Sequence, residues 1–257
     1  MRTKHLIDNL SKDINLNLKE PWDPIGFSIP LAGKKNLKNV LVCHDVTSKV
    51  IQEAIKNDCN LIISHHPFIF YEKAKDFEIY PYKKNLYKTL KAHKINTYSF
   101  HTAFDKSDFL TVKGILKLLN LDDNGFRQVN SEFALKINWD KTPLELIKLL
   151  KNRASVKNIQ TNIKQKVLET KINSFMLFPG SGFVGDINKF KDETDLIITS
   201  DAKWSDFINY DEMNINIINV SHNLEKGFIY IMVDLLKKYL DPSQIFSIFE
   251  EDKFYNI

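Results

Sequence analysis

Short strand-like runs that stop on a histidine or an aspartate recur along this chain: NVLVCHD at 39–45, NLIISHHP at 60–67, INTYSFH at 95–101, DLIITSD at 195–201 and INIINVSH at 215–222. A run with little apolar–polar alternation belongs to a strand buried on both faces, which a parallel sheet covered by crossover helices supplies. The intervals between the first runs carry helical periodicity. TSKVIQEAIKN follows the first run, with Thr47 or Ser48 as its N-cap, and YKKNLYKTLKAHK and TVKGILKLLN follow the second and third. Leu6, Ile7, Leu10 and Ile14 mark an opening helix. Strand and helix alternating at this spacing predict an α/β fold with mostly parallel sheets.

From about residue 124 the rhythm changes. FRQVNSEFALKINW alternates like an edge strand, TPLELIKLLKN is helical, and KVLET and SFMLF read as short strands. PGSGFVGDINKF is a glycine-bearing turn leading into a helix, NLEKGFIYIMVDLLKKYL reads as one long helix, and IFSIFEE as a last strand. DLIITSDA echoes NLIISHHP, which suggests two similar α/β lobes. The expected division is 1–108 plus 223–257 for a discontinuous first lobe and 109–222 for the second.

Composition removes several classes of function. The net charge of +4 is spread thinly, with no basic run interleaved with aromatics, so nucleic acid is not an expected partner. The only cysteines, Cys43 and Cys59, lie in apolar runs without zinc-site spacing and read as buried thiols of a reducing cytoplasm. The opening MRTKHLIDNLSKDINLNL is amphipathic and broken by charge, unlike a signal peptide. No apolar stretch approaches the roughly 18 residues a membrane span needs.

Ligands of open α/β sheets gather beyond the carboxyl ends of the strands. The polar residues expected there are Asp45, His65, His66, His101, Asp105, Asp201, His222 and Glu225. Adjacent imidazoles at a strand end that turns into an X-Pro loop diverge only moderately, so His65 and His66 can serve two nearby ions, one each. His222 and Glu225, spaced i, i+3, share one helix face. Three histidines, an aspartate and a glutamate make a five-ligand dinuclear site. Blander readings stand beside this one. His5 and His93 fall on polar helix faces, His44 and Asp45 either end a strand or join the site, and PGSGFVGD either turns the chain or cradles a phosphate through its amides.

In their order along the chain, NVLVCHDVTSKVIQEAIKNDCNLIISHHPFIF, HTAFD, FPGSGFVGD, ITSDAKW and VSHNLEKG resemble the NIF-three-like family, and WDPIGFSI resembles its Trp-Asp-x-x-Gly opening. Bacterial members of that family carry the name GTP cyclohydrolase 1 type 2 homologue. The resemblance implies a two-lobed fold with a metal site in the cleft between the lobes. It implies His65, His66, Asp105, His222 and Glu225 as ligands of two divalent ions, with Glu225 bridging, and a toroidal homohexamer. His101 would stand beside the ligands as the proton-transfer residue. The chain departs from the family pattern at Ser221, at Thr199-Ser200-Asp201, at Ser205 and in KSDFLTVKG after the His-Thr-x-x-Asp element. These departures touch the substrate-facing residues and spare the ligands.

Two ions held by nitrogen and oxygen can polarise a substrate oxygen and supply hydroxide near neutral pH. The expected function is therefore metal-dependent hydrolysis of a nucleotide or phosphoester, GTP by resemblance. The alternative is a non-enzymatic metal-binding or regulatory hexamer. Zinc, iron, manganese and nickel all suit such ligands.

Overall fold

A computed structural model describes residues 1–29, 36–121 and 125–254. The chain divides into two compact units, one of Met1–Leu110 with Phe228–Glu250 and the other of Thr111–Gly227 with Glu251–Ile257.

The first unit begins with α1 (Thr3–Asp13), β1 (Gly26–Phe27), β2 (Asn39–Cys43), α2 (Ser48–Lys56), β3 (Cys59–Ser64), α3 (Lys73–Ile79), α4 (Tyr82–Ala92), β4 (Asn96–Ser99) and α5 (His101–Lys106). The second contains most of α6 (Leu110–Leu119), then β5 (Phe126–Gln128), β6 (Leu135–Lys141), α7 (Pro143–Ala154), β7 (Ile159–Thr161), α8 (Gln165–Leu168), β8 (Ile172–Leu177), α9 (Val184–Ile187), β9 (Leu196–Ser200), α10 (Trp204–Glu212) and β10 (Ile217–Val220). The chain then returns to the first unit with α11 (Phe228–Leu236) and β11 (Ile245–Ser247).

The sheet of the first unit runs β1-β4-β3-β2-β11, with every pairing parallel except β1 with β4. The central strands β2 and β3 are apolar on both faces, and both faces are covered. Val40, Val42, Leu61 and Ile63 pack with Leu6, Leu10, Phe104, Phe228 and Met232, while Leu41, Cys43 and Ile62 pack with Val50, Ile51, Ala54 and Leu90. Each fully buried side chain of this size contributes about 1.5–3 kcal/mol. The Thr47 hydroxyl accepts from Val50 N at 3.2 Å, the expected cap of α2, and such a cap contributes about 1 kcal/mol.

The second sheet runs β5-β6-β8-β9-β10-β7 and is mixed, parallel only at β8–β9 and β9–β10. The expectation of mostly parallel sheets therefore holds for the first unit alone. The alternating stretch expected as one edge strand is two, β5 and β6, paired antiparallel with Phe126 opposite Ile137. Between them the Ser131 hydroxyl accepts from Phe133 N and Ala134 N, which turns the chain. KVLET, expected as a strand, carries the end of α8, where Val167 N–H bonds locally to Lys164 O at 2.9 Å.

The long helix expected over 223–240 is also interrupted. His222–Gly227 form a 3₁₀ helix and α11 starts only at Phe228. Gly227 explains the junction, because a Cβ there would meet Ile115 N at 2.5 Å and the Gly114 carbonyl carbon at 2.6 Å. The turn is pressed onto the backbone of α6 at a spacing only glycine permits. Among the described residues, no helix is long and apolar enough to cross a membrane.

Candidate metal centre

In the first unit, the hydrogen-bond ladder runs on past the ends of the strands. His65 N–H donates to Cys43 O at 3.2 Å, His66 N–H to His44 O at 3.2 Å, and His101 N–H to His65 O at 3.1 Å. Parallel neighbours in register carry their side chains together, so the imidazoles gather. Ring centroids lie 4.5 Å apart for His44 and His66, 4.9 Å for His65 and His66, 5.4 Å for His65 and His101, and 5.3 Å for His66 and His101. His65, His66 and His101 each offer a ring nitrogen within 4.8 Å of the others, a grouping that could hold a metal ion. Asp105, one turn along α5 from His101, places Oδ1 3.7 Å from His65 Nε2. Phe228 backs His65 with its ring 5.2 Å away.

His101 sits at φ +36, a left-handed conformation for a residue with a side chain, which costs about 1–3 kcal/mol where it persists. Asp201, at the corresponding end of β9, sits at φ +56. Both strained residues stand where a strand delivers a site side chain.

Carboxylates fix the rings. Asp45 bonds His44 Nδ1 at 2.9 Å through Oδ2 and His66 Nδ1 at 2.8 Å through Oδ1. Asp23, only 1% exposed, bonds His101 Nδ1 at 2.9 Å and accepts from Thr102 N at 3.0 Å and from the Thr102 hydroxyl. Burial alone would raise the pKa of each carboxylate, but His44 and His66 around Asp45, and His101 with the Thr102 donors around Asp23, outweigh burial and hold each below the usual range. With Nδ1 committed to a carboxylate, Nε2 is the nitrogen each ring can present to an ion, the arrangement that orients metal-ligating histidines. Asp23 does not stand out in the sequence, although it lies in WDPIGFSI. Its neighbour Trp22 is 59% exposed, with its ring 5.8 Å from His101 and 6.0 Å from Phe70.

The second unit holds its own group. His222 Nε2 lies 2.9 Å from Glu225 Oε2. In a 3₁₀ helix residues i and i+3 eclipse, so this pair stacks more directly than on the α-helical turn expected. His222 Nδ1 is bonded to Asp201 Oδ2 at 2.6 Å, repeating the pattern of the first unit. Burial pulls the imidazolium down, yet the Glu225 charge and the Asp201 hydrogen bond overcome it, and its pKa is pushed up to about 11.

One glycine of PGSGFVGD, Gly180, bears on this pair. It adopts φ +58, and a Cβ there would collide with Glu225 Oε1 and lie 3.3 Å from His222 Nε2. Its bareness makes room for the Glu225 carboxylate. Behind the loop, Asp252 Oδ1 accepts from the Ser221 hydroxyl at 2.8 Å and from Asn223 Nδ2 at 3.2 Å, gripping the residues on either side of His222.

Of the expected site residues, His65, His66, Asp105 and His101 thus gather in the first unit, and His222 and Glu225 in the second, with Asp201. His5 and His93 are exposed, as expected for solvated residues. Cys43 and Cys59 are buried free thiols, and burial pushes Cys59 up to about 12. The donors are imidazole nitrogens and carboxylate oxygens, a set that fits zinc, iron, manganese or nickel.

Comparison with known proteins agrees with this architecture. The Duf34/NIF3 (NGG1p interacting factor 3) family model matches residues 1–252. The chain is 34% identical over 224 residues to a GTP cyclohydrolase 1 type 2 homolog of Mycoplasmopsis pulmonis, covering 85% of this chain and 86% of that protein. It is 30% identical to a protein of the same name from Clostridium perfringens, covering 96% of each. The solved Bacillus cereus protein related to NIF3 superposes with a TM-score of 0.83 at 17% identity, over 100% of this chain and 99% of the other.

Proposed function

The chain belongs to the Duf34/NIF3 family, and on that premise we propose that it is a metal-dependent hydrolase of a nucleotide or phosphoester, with two divalent ions per chain. The ligands in this reading are His65, His66, Asp105, His222 and Glu225, with Glu225 as the bridging carboxylate. One observation carries it: the proposed ligands His66 and His222 each have Nδ1 bonded to an aspartate, which is how a protein presents Nε2 to a cation. Bound ions would polarise a substrate oxygen and lower the pKa of a water molecule.

The side chains do the rest. His101 takes or gives the proton at Nε2, while Asp23 holds its Nδ1 and stabilises the imidazolium that forms. Relatives named GTP cyclohydrolase 1 type 2 homolog favour a purine nucleotide as substrate. The same reading makes the protein a cytoplasmic homohexamer with a small-molecule substrate, and the buried free thiols suit a reducing compartment.

A non-enzymatic metal-binding role has one observation in its favour. His222 lies between Glu225 and Asp201 at 2.9 and 2.6 Å, so this half of the ligand set is electrostatically satisfied without an ion, as reversible storage would require. Elemental analysis together with turnover on a panel of nucleotides and phosphoesters separates the readings. Two equivalents of metal with turnover support the hydrolase, and two equivalents without turnover support the metal-binding role. Trace metal after loading refutes both.

A further inference from the structure

We propose that His44 is a metal ligand in its own right, paired with His66, and not merely the residue on which β2 ends; this rests on the metal-centre reading above. The ring is buried, at 6% exposure, with two further imidazoles against it. It stacks on His65 at 5.7 Å and tilts against His66 at 4.5 Å with 52° between the planes. The ladder is the cause: His66 N–H donates to His44 O, which sets the two residues side by side on neighbouring columns.

Asp45 then makes the pair a chelate. Its two oxygens take one ring each, Oδ2 on His44 Nδ1 at 2.9 Å and Oδ1 on His66 Nδ1 at 2.8 Å. A carboxylate divided in this way holds both imidazoles in the same tautomer, with Nε2 as the nitrogen each can present. The nitrogens that the two rings offer lie within 4.8 Å of one another. Two imidazoles on one tetrahedral ion with bonds of about 2.0–2.1 Å have their nitrogens about 3.3 Å apart, a separation inside that 4.8 Å limit. A histidine that only ended the strand would need neither the shared carboxylate nor the tilt. The ligand taken is a borderline divalent cation such as Zn²⁺ or Co²⁺, which accepts an additional imidazole readily.

The test compares wild type, His44→Phe and His44→Gln, each checked for native circular dichroism so that a variant that does not fold is replaced by the other. Zn²⁺ affinity is measured by chelator competition, and Co²⁺-loaded protein is assayed for its visible absorption bands. Loss of a ligand should weaken one of the ions by more than about 100-fold, beyond the 10–100-fold that loss of a ligand's hydrogen-bond partner costs. The Co²⁺ bands should shift in the variants, and imidazole added to His44→Gly should restore them. Unchanged affinity and unchanged bands in His44→Phe, with wild type binding two equivalents, overturn this proposal alone. Wild type that binds neither Zn²⁺ nor Co²⁺ overturns the metal reading and this proposal with it.

Discussion

Gly180→Ala isolates the half-site of the second unit. The new methyl group meets two costs of different kinds. The first is backbone strain, since φ +58 costs a residue with a Cβ about 1–2 kcal/mol. The chain tolerates such conformations elsewhere, with Asn120 at φ 55 and Ser155 at φ 54. The second cost is local: the methyl displaces the Glu225 carboxylate, whose Cδ would lie 3.1 Å away, and crowds His222 Nε2 at 3.3 Å. A carboxylate at the end of a flexible side chain yields cheaply in stability, but it cannot yield and still serve as a bridging ligand. The expected result is a stability loss of about 1–2 kcal/mol by urea denaturation and a loss of metal affinity of more than about 100-fold, as for removal of a ligand rather than of its 10–100-fold outer support. Gly26→Ala is the control, because Gly26 has φ +109 and a methyl group there would find nothing within 4 Å, so it carries strain without collision. Equal metal affinity in Gly180→Ala and wild type would refute Glu225 as a ligand at this place.

The other expectations follow from the same contacts. His222 has its folded pKa raised to about 11, so its contribution to the stability of metal-free protein is complete below the unfolded value near 6.5 and is lost as pH rises toward 11; urea midpoints across that window should fall, and Zn²⁺ uptake at pH 8 should release a proton, seen with an indicator dye. His101→Ala should lower turnover by about 10²–10⁴-fold while retaining metal, and Asp105→Ala should lose both, measured side by side by elemental analysis and rate. Asp252→Ala should free Ser221 and Asn223 and cost about 10-fold or more in metal affinity, whereas Asp252→Asn, which keeps the accepting oxygen, should cost less.

The strands and the residues at their ends were legible because each is a local string. NLIISHHP carries its apolar run, its turn and its imidazoles together, and the fold places them as the string implies. Asp23 was not legible, since its partner His101 is 78 residues away and nothing local pairs them. The 3₁₀ turn at His222–Gly227 escaped because a period of three and one of 3.6 hardly diverge over six residues, and the decisive contact is with the backbone of α6. The antiparallel half of the second sheet depends on which strands become neighbours, a tertiary choice that short runs such as SFMLF do not encode. KVLET had strand-like residues, yet its backbone bonds locally in α8, with Val167 N–H to Lys164 O.

The position of β11 has a consequence for how the chain is made. It supplies the outer neighbour of β2, with Ile245 paired to Val40 and Ser247 to Val42. On a ribosome working at about 5–20 residues per second, β2 therefore waits roughly 10–40 s for that neighbour. Throughout the wait NVLVC, apolar on both faces, presents a naked edge of backbone donors and acceptors, the template on which nascent chains aggregate. Slower synthesis lengthens that exposure, so the yield of soluble protein should depend on translation speed and on chaperones that cover the edge until β11 emerges.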